Sequence, residues 1–275
     1  MDMPILEAHG MRMPRLGLGT WPMKGRDCQD AVESALALGY RHIDTAQIYG
    51  NEAEIGGVLD AAAVPREEIF LTTKIWNDKP NGAAIRRAFD ASLARLAQPH
   101  VDLLLIHWPS PELDLPDALR GLAAIRAEGR AKAIGISNFP PRLLQRAIAG
   151  GADLACLQVE FHVMLDQSRL LGLCREAGMV LTAYSPLAKG SLDDPALARI
   201  ARRHGATPAQ VALAWLLAQP GVAMVPKAAS PARQKENLGA LALRLDAEDM
   251  AALAVLPKDR RFVSPAGLAP DWVKG

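Results

Sequence analysis

Four residues that can do chemistry stand at or just past the ends of three successive apolar stretches. Asp44 ends His42-Ile43-Asp44, and Tyr49 follows it in the next loop. Lys74 lies near the end of Leu71-Thr72-Thr73-Lys74-Ile75, and His107 ends Leu103-Leu104-Leu105-Ile106-His107. Ionisable groups on apolar strands cost free energy unless paired, and the simplest pairing is Lys74 with Asp44. A lysine beside a phenol favours phenolate, so Lys74 is expected to lower the pKa of Tyr49 and ease its work as a proton donor. A neutral His107 can donate a hydrogen bond to an oxygen and orient it. Reduction of a carbonyl needs such a set, because hydride addition puts charge on oxygen. The same residues fit a second chemistry, in which Lys74 forms a Schiff base with a carbonyl substrate while Asp44 and Tyr49 move protons. Each residue alone has an ordinary structural reading, as a salt bridge or a packed histidine. Together at the rims of successive strands they read as a site.

The positioning elements follow from hydrophobic spacing. Apolar strand-length runs occupy residues 16–21, 42–45, 69–75, 102–107, 133–137, 154–160, 180–184 and 222–226. Between them, helical periodicity covers 27–38, 52–62, 81–96, 116–128, 141–149, 167–176, 195–204 and 209–217, with Thr207-Pro208 as an opening cap. Further helices are expected at 231–238 and 246–253. Gly10 divides residues 5–15 into a short N-terminal hairpin, and residues 257–275 form an irregular tail. Eight strands alternating mostly with single helices predict an α/β fold of the closed (β/α)8 TIM-barrel type, in one domain spanning 1–275. A doubly wound sheet is the rival. In a barrel the C-terminal strand ends share one mouth, where Asp44, Lys74 and His107 would meet.

Composition narrows the function. Thirty-one basic and thirty acidic residues leave a formal net charge of +1, without the basic excess of a nucleic-acid surface. No apolar run approaches a membrane span, and no secretory signal is visible, so a cytoplasmic protein is expected. Cys28, Cys156 and Cys174 lack metal-like spacing and read as reduced, packed thiols. No metal site and no assembly helix stands out, so a monomer is expected. Gly17 and Gly19 are not a dinucleotide fingerprint, because Pro22 stands where a third glycine would be. Trp21, Trp76 and Trp108 follow strands one, three and four and can wall an apolar substrate pocket with Tyr49 and His107.

Over nearly its whole length the sequence resembles the aldo-keto reductases. The resemblance rests on Gly19-Thr20-Trp21, the run from Gly39 through Asp44 to Ala46, Tyr49-Gly50-Asn51-Glu52, Thr73-Lys74, and Leu105-Ile106-His107-Trp108-Pro109. It continues in Gly135-Ile136-Ser137-Asn138-Phe139, Gln158-Val159-Glu160, Tyr184-Ser185-Pro186-Leu187, and the run of Lys227, Arg233, Glu236 and Asn237. The ending around Arg261, Phe262 and Trp272 is most similar to bacterial 2,5-diketo-D-gluconate reductases of the B type, also described as methylglyoxal reductases.

The resemblance implies NADPH/NADP+ as cofactor and a small carbonyl compound as substrate. It makes Tyr49 the general acid, Lys74 with Asp44 its tuning pair, and His107 the group that positions the carbonyl. Ser137, Asn138 and Gln158 would hold the nicotinamide carboxamide, and Tyr184 would stack on its ring. Thr20, Trp21 and Asp44 would border the cofactor, while Ser185 and Leu187 would meet its pyrophosphate; Lys189, just beyond them, reads either as a further pyrophosphate contact or as an exposed lysine on a glycine-rich loop. Lys227 and Arg233 would grip the 2′-phosphate beside Ala228 and Ser230, with Glu236 and Asn237 near adenine and ribose. Two cations there favour the phosphorylated cofactor. Where the family often has Lys-Ser, this chain has Lys227-Ala228, which leaves use of both nicotinamide cofactors more open. Phe161-His162-Val163 stands where many members have Tyr-His-Pro, and is expected to be a packing change. A barrel that binds NADPH without turnover is the third reading; an intact acid–base set argues against it.

Overall fold

A computed structural model describes residues 3–76, 78 and 81–272. Eight parallel strands form one sheet: β3 (Leu18–Gly19), β4 (His42–Asp44), β5 (Phe70–Ile75), β6 (Val101–Ile106), β7 (Ala131–Ser137), β8 (Leu154–Glu160), β9 (Val180–Tyr184) and β10 (Val222–Met224). The last strand returns to the first. Gly17 N–H donates to Met224 O at 2.8 Å and Gly19 N–H to Pro226 O at 3.1 Å, so the sheet closes on itself. This is the (β/α)8 barrel expected from the alternation, and the doubly wound rival is excluded.

The regular part of β3 is shorter than the 16–21 run, and Gly17 and Gly19 stand where a side chain would clash. A Cβ on Gly17 would fall 2.7 Å from the His42 ring, and one on Gly19 would fall 2.5 Å from Val225 O. Strand β10 also ends early, at Met224. Pro226 has no N–H to give, yet its carbonyl still accepts from Gly19.

The helices fall within one or two residues of the expected ranges. They are α1 (Gly25–Ala37), α2 (Glu52–Ala61), α3 (Gly82–Leu96), α4 (Leu115–Ala127), α5 (Pro141–Ala149), α6 (Ser168–Glu176), α7 (Pro195–His204), α8 (Pro208–Leu217), α9 (Pro231–Gly239) and α10 (Ala247–Ala254). Caps explain several starts. Asn81 accepts from Ala84 N–H, Thr207 makes a reciprocal cap with Gln210, and Ser230 accepts from Arg233 N–H. Residues 66–68 form a single 3-10 turn.

A first core lies between the strands and their helices, where Ile43, Leu71, Leu104, Ile136 and Leu157 are all but fully buried. A second fills the lower barrel with Leu103, Leu105, Ala155 and Ala223. Strands β1 (Ile5–Ala8) and β2 (Met11–Pro14) make the expected antiparallel hairpin, and Met11 and Met13 join that lower core from it. The lower barrel is therefore packed with side chains, which leaves the C-terminal mouth for chemistry. Cys28, Cys156 and Cys174 are buried free thiols. Among the described residues no helix is long and apolar enough to cross a membrane, and no cluster of His, Cys, Asp and Glu is placed to hold a metal.

Candidate active site

Strands β4 and β5 pair in parallel, with Asp44 opposite Thr72, and this register brings Asp44 and Lys74 together at the barrel top. Lys74 Nζ donates to Asp44 Oδ1 at 2.6 Å and to Thr45 O at 2.8 Å, with both side chains almost wholly buried. Asp44 Oδ2 accepts from Gln158 Nε2 at 2.8 Å. After β4 a 3-10 turn, Gln47–Tyr49, closed by Gly50 in the left-handed region, swings Tyr49 back over the strand ends. Lys74 Nζ then lies 5.1 Å from the Tyr49 ring centroid. His107 follows β6 and meets Tyr49 edge-on at 5.6 Å between centroids; Trp76 meets His107 at 5.4 Å and Trp21 meets Tyr49 at 5.1 Å.

Burial governs the charge states. It drives Tyr49 well above the ordinary phenol range, and the Asp44 carboxylate pushes in the same direction. This corrects the expectation of a lowered phenol pKa: the Lys74 charge is engaged by Asp44, so desolvation wins. Burial also pulls Lys74 down, against the opposing pull of Asp44. His107 is held well below its ordinary value by burial and by Lys74, so its imidazole is neutral at physiological pH. Among the described residues its Nδ1 has no hydrogen-bond partner. The resting site thus holds a protonated phenol and a neutral imidazole. The Schiff-base reading fits poorly, because the Lys74 side chain is 0 % exposed and its Nζ is tied to Asp44 and Thr45.

A cavity of about 540 Å³ lies over this cluster. Asp44, Tyr49, His107 and Gln158 line it, with Trp21, Trp76 and Trp108 as aromatic walls. Thr20, Asn138, Tyr184, Ser185, Lys189 and Lys227 line it too. Ser137 lies behind the wall, fully buried, with its Oγ accepting from Asn138 Nδ2 at 3.0 Å. Asn138 Nδ2 also donates to His107 O at 2.9 Å, and Asn138 Oδ1 accepts from the Tyr184 hydroxyl at 2.7 Å. Both amide protons of Asn138 are therefore engaged within the protein, and only an acceptor lone pair is left for a ligand. The Tyr184 ring stands beside that amide.

The remaining expected cofactor residues lie outside the cavity wall. Leu187 is half-buried, while Ala228 is buried and its carbonyl accepts from Gln234 Nε2 at 3.1 Å. Ser230 caps α9, Arg233 projects from its first turn and pairs with Glu236 at 2.7 Å, and Asn237 is buried on the same helix. An exposed lysine, a helix N-terminus and an arginine thus stand together, which is the donor set a phosphate monoester needs. The chain between Ser185 and Gly190 is an unusual turn, with Ser185, Ala188 and Lys189 all at positive φ.

Sequence reasoning missed the far wall. Ile48, Val225, Phe262, Val263, Ser264, Pro265 and Leu268 also line the cavity. The tail residues carry no strand-end signal; their apolar character within a segment rich in proline and glycine was the available clue. Trp272 stacks under the Arg261 guanidinium at 3.9 Å and is absent from the cavity lining. Trp215 is core, packed edge-on against Phe161, so the Phe161 departure is indeed a packing change.

Fold and site together define a barrel enzyme whose acid–base cluster faces a deep cavity at the strands' C-terminal ends. The model of the aldo/keto reductase family matches residues 15–256. Methylglyoxal reductase DkgB of Escherichia coli O157:H7 is 42% identical over 267 residues, covering 95% of this chain and 100% of that one. A crystal structure whose protein carries the provisional name 2,5-diketo-D-gluconic acid reductase B superposes with a TM-score of 0.95 at 42% identity, covering 98% of each chain. An aldo-keto reductase crystallised in complex with NADPH gives a TM-score of 0.90 at 33% identity, covering 96% of this chain and 90% of that one. The chain belongs to the aldo/keto reductase family and is an oxidoreductase, so the reading as a binder without turnover is set aside.

Proposed function

We propose that this protein is a monomeric, single-domain cytoplasmic reductase that uses NADPH to convert aldehydes and ketones to alcohols. The observation that carries the reading is the Asp44–Lys74–Tyr49–His107 cluster at the floor of the cavity. NADPH, when bound, supplies the hydride. The substrate carbonyl oxygen sits between Tyr49 and His107. The neutral His107 imidazole donates a hydrogen bond that orients the oxygen, and Tyr49 passes its hydroxyl proton to that oxygen as charge develops there. The Lys74 ammonium, fixed by Asp44 and Thr45, favours the phenolate left behind and so offsets the burial that raises the Tyr49 pKa. Gln158 restrains the second Asp44 oxygen and keeps the pair from rotating.

Support for the cofactor comes from the donor set of Lys227, Ser230 and Arg233, which fits a 2′-phosphate, and from Lys189 on the cavity wall. The carboxamide would lie against Asn138 and Gln158 beside the Tyr184 ring. The relatives' names suggest methylglyoxal or keto-sugar acids as substrates, and three indoles suit small carbonyl compounds with an apolar side. The test is oxidation of NADPH across a panel of aldehydes, α-dicarbonyls and keto-acids, repeated with NADH. The reading expects turnover with several aldehydes and preference for NADPH. No oxidation with any carbonyl would overturn it.

A further inference from the structure

The tail that forms the far wall of the cavity is attached in an uneven way. Up to Arg260 it is sewn to the loop after β8 by main-chain bonds: Asp166 N–H to Lys258 O at 2.8 Å, and Arg260 N–H to Met164 O at 3.0 Å. Beyond Arg260 the manner changes. Among the described residues, Phe262 and Val263 make no hydrogen bond to the barrel backbone, and both N–H groups go to one side chain. Glu160 Oε1 accepts from Phe262 N–H at 2.7 Å, and Oε2 accepts from Val263 N–H at 3.0 Å. Glu160 is the last residue of β8 and is 0 % exposed.

A buried carboxylate is costly unless its oxygens are filled, and these are filled. His162 Nε2 lies 3.2 Å from Oε1, and the Arg261 guanidinium lies 3.7 Å from Oε2. Burial works against ionisation of Glu160, but His162 and the two tail N–H groups outweigh it and leave its pKa below the ordinary carboxylate value. The group is charged at neutral pH. From the opposite side Lys189 Nζ donates to Phe262 O at 3.1 Å. Phe262 is thus gripped at both its N–H and its carbonyl, its ring packs on His162 at 5.4 Å between centroids, and from it the wall runs on to Leu268.

We propose that Glu160 is a positioning residue for substrate selection: its carboxylate fixes the tail as the far wall of the carbonyl pocket, so that large apolar substrates are held through it. The selection half of the inference rests on the carbonyl-reductase reading; the anchoring of Phe262 and Val263 by Glu160 does not. Glutamine in place of Glu160 keeps the shape but turns an NH2 toward one of the two tail N–H groups, so one anchoring bond is lost and the tail loosens.

The test uses the full chain with Glu160→Gln and Glu160→Ala, and reads two things. Hydrogen exchange at the Phe262 and Val263 amides reports the anchor without any turnover. Steady-state kinetics with naphthaldehyde and with methylglyoxal report selection, the larger compound being the one the proposal expects to touch the tail wall. The proposal expects faster exchange in both variants and a KM for naphthaldehyde raised about fivefold or more relative to that for methylglyoxal, with kcat changed less. It also expects Glu160→Gln to add little to Leu268→Ala, because both act through the same wall. Unchanged exchange overturns it. So does a KM ratio that stays put while exchange rises, or an effect that multiplies fully with that of Leu268→Ala. If Glu160→Ala does not fold, the near-isosteric glutamine variant decides. If the parent protein reduces no carbonyl, the reductase reading fails while the exchange data still judge the anchor.

Discussion

Replacing Asp44 by Asn probes the pair at the base of the site. Lys74 Nζ donates to Asp44 Oδ1 at 2.6 Å and to Thr45 O at 2.8 Å, in a position with no solvent exposure. Asparagine leaves a buried ammonium without its counter-charge, and breaking one side of a buried ion pair costs about 3–5 kcal/mol. For a chain of this size, about 2–3 °C per kcal/mol translates to a Tm lower by roughly 6–15 °C. The loss depends on pH in a definite direction. Burial already lowers the Lys74 pKa, and without Asp44 it falls further. Between that folded value and the unfolded value near ~10.4 the unfolded chain binds more protons, so stability rises with pH there. The Tm deficit of Asp44→Asn is therefore largest at low pH and shrinks as the solution becomes alkaline. Calorimetry at several pH values, on Asp44→Asn and on Asp44→Asn with Lys74→Met, reads this out. Methionine removes the stranded charge and should restore part of the loss. A single-variant deficit below about 1 kcal/mol at neutral pH would refute the reasoning, since such a value belongs to an exposed pair. So would a double variant less stable than the single one.

Two of the buried histidines bear on the acid behaviour. Burial lowers the pKa values of His42 and His107, so below about pH 6.5 the unfolded chain takes up protons that the native one refuses, and stability falls with pH by up to about 1.4 kcal/mol per unit for each; Tm measured from pH 7 to 5 should drop less steeply in His107→Asn. At the barrel wall, a Cβ on Gly135 would lie 2.4 Å from Cys156 O, so Gly135→Ala should cost about 1–3 kcal/mol or more, read by urea unfolding. Arg233→Ala should raise the KM for NADPH about tenfold and leave that for NADH nearly unchanged, as expected for loss of one charge-assisted phosphate contact. The effect is moderated because Arg233 must first leave Glu236, its partner at 2.7 Å.

Residues at the ends of apolar strands were legible because period and position are local. Asp44, Lys74 and His107 close strands whose burial the sequence already announces, and the barrel then has one way to bring them together. Glu160 carried the same signal, a carboxylate ending an apolar strand, but the partners that give it a role at the pocket lie about a hundred residues away in the tail. Nothing local marks Phe262 as a pocket wall, because the tail has no period and beyond Arg260 its N–H groups go to a side chain. The charge state of Tyr49 was misjudged for a related reason. Proximity of lysine and phenol can be guessed from strand ends, whereas burial of the phenol and capture of the ammonium by Asp44 are three-dimensional. The hydrogen bonds that occupy Asn138 were equally out of reach, since they join the ends of β6, β7 and β9.

The central claim is that Tyr49 protonates the carbonyl oxygen. Tyr49→Phe keeps the ring between Trp21 and His107 and removes only the hydroxyl. Its turnover of NADPH with the best aldehyde should fall by about 10²–10⁴-fold, the range of a lost general acid, while NADPH binding measured by fluorescence stays within about twofold. Turnover close to that of the parent protein, with the cofactor bound as tightly, would contradict the account.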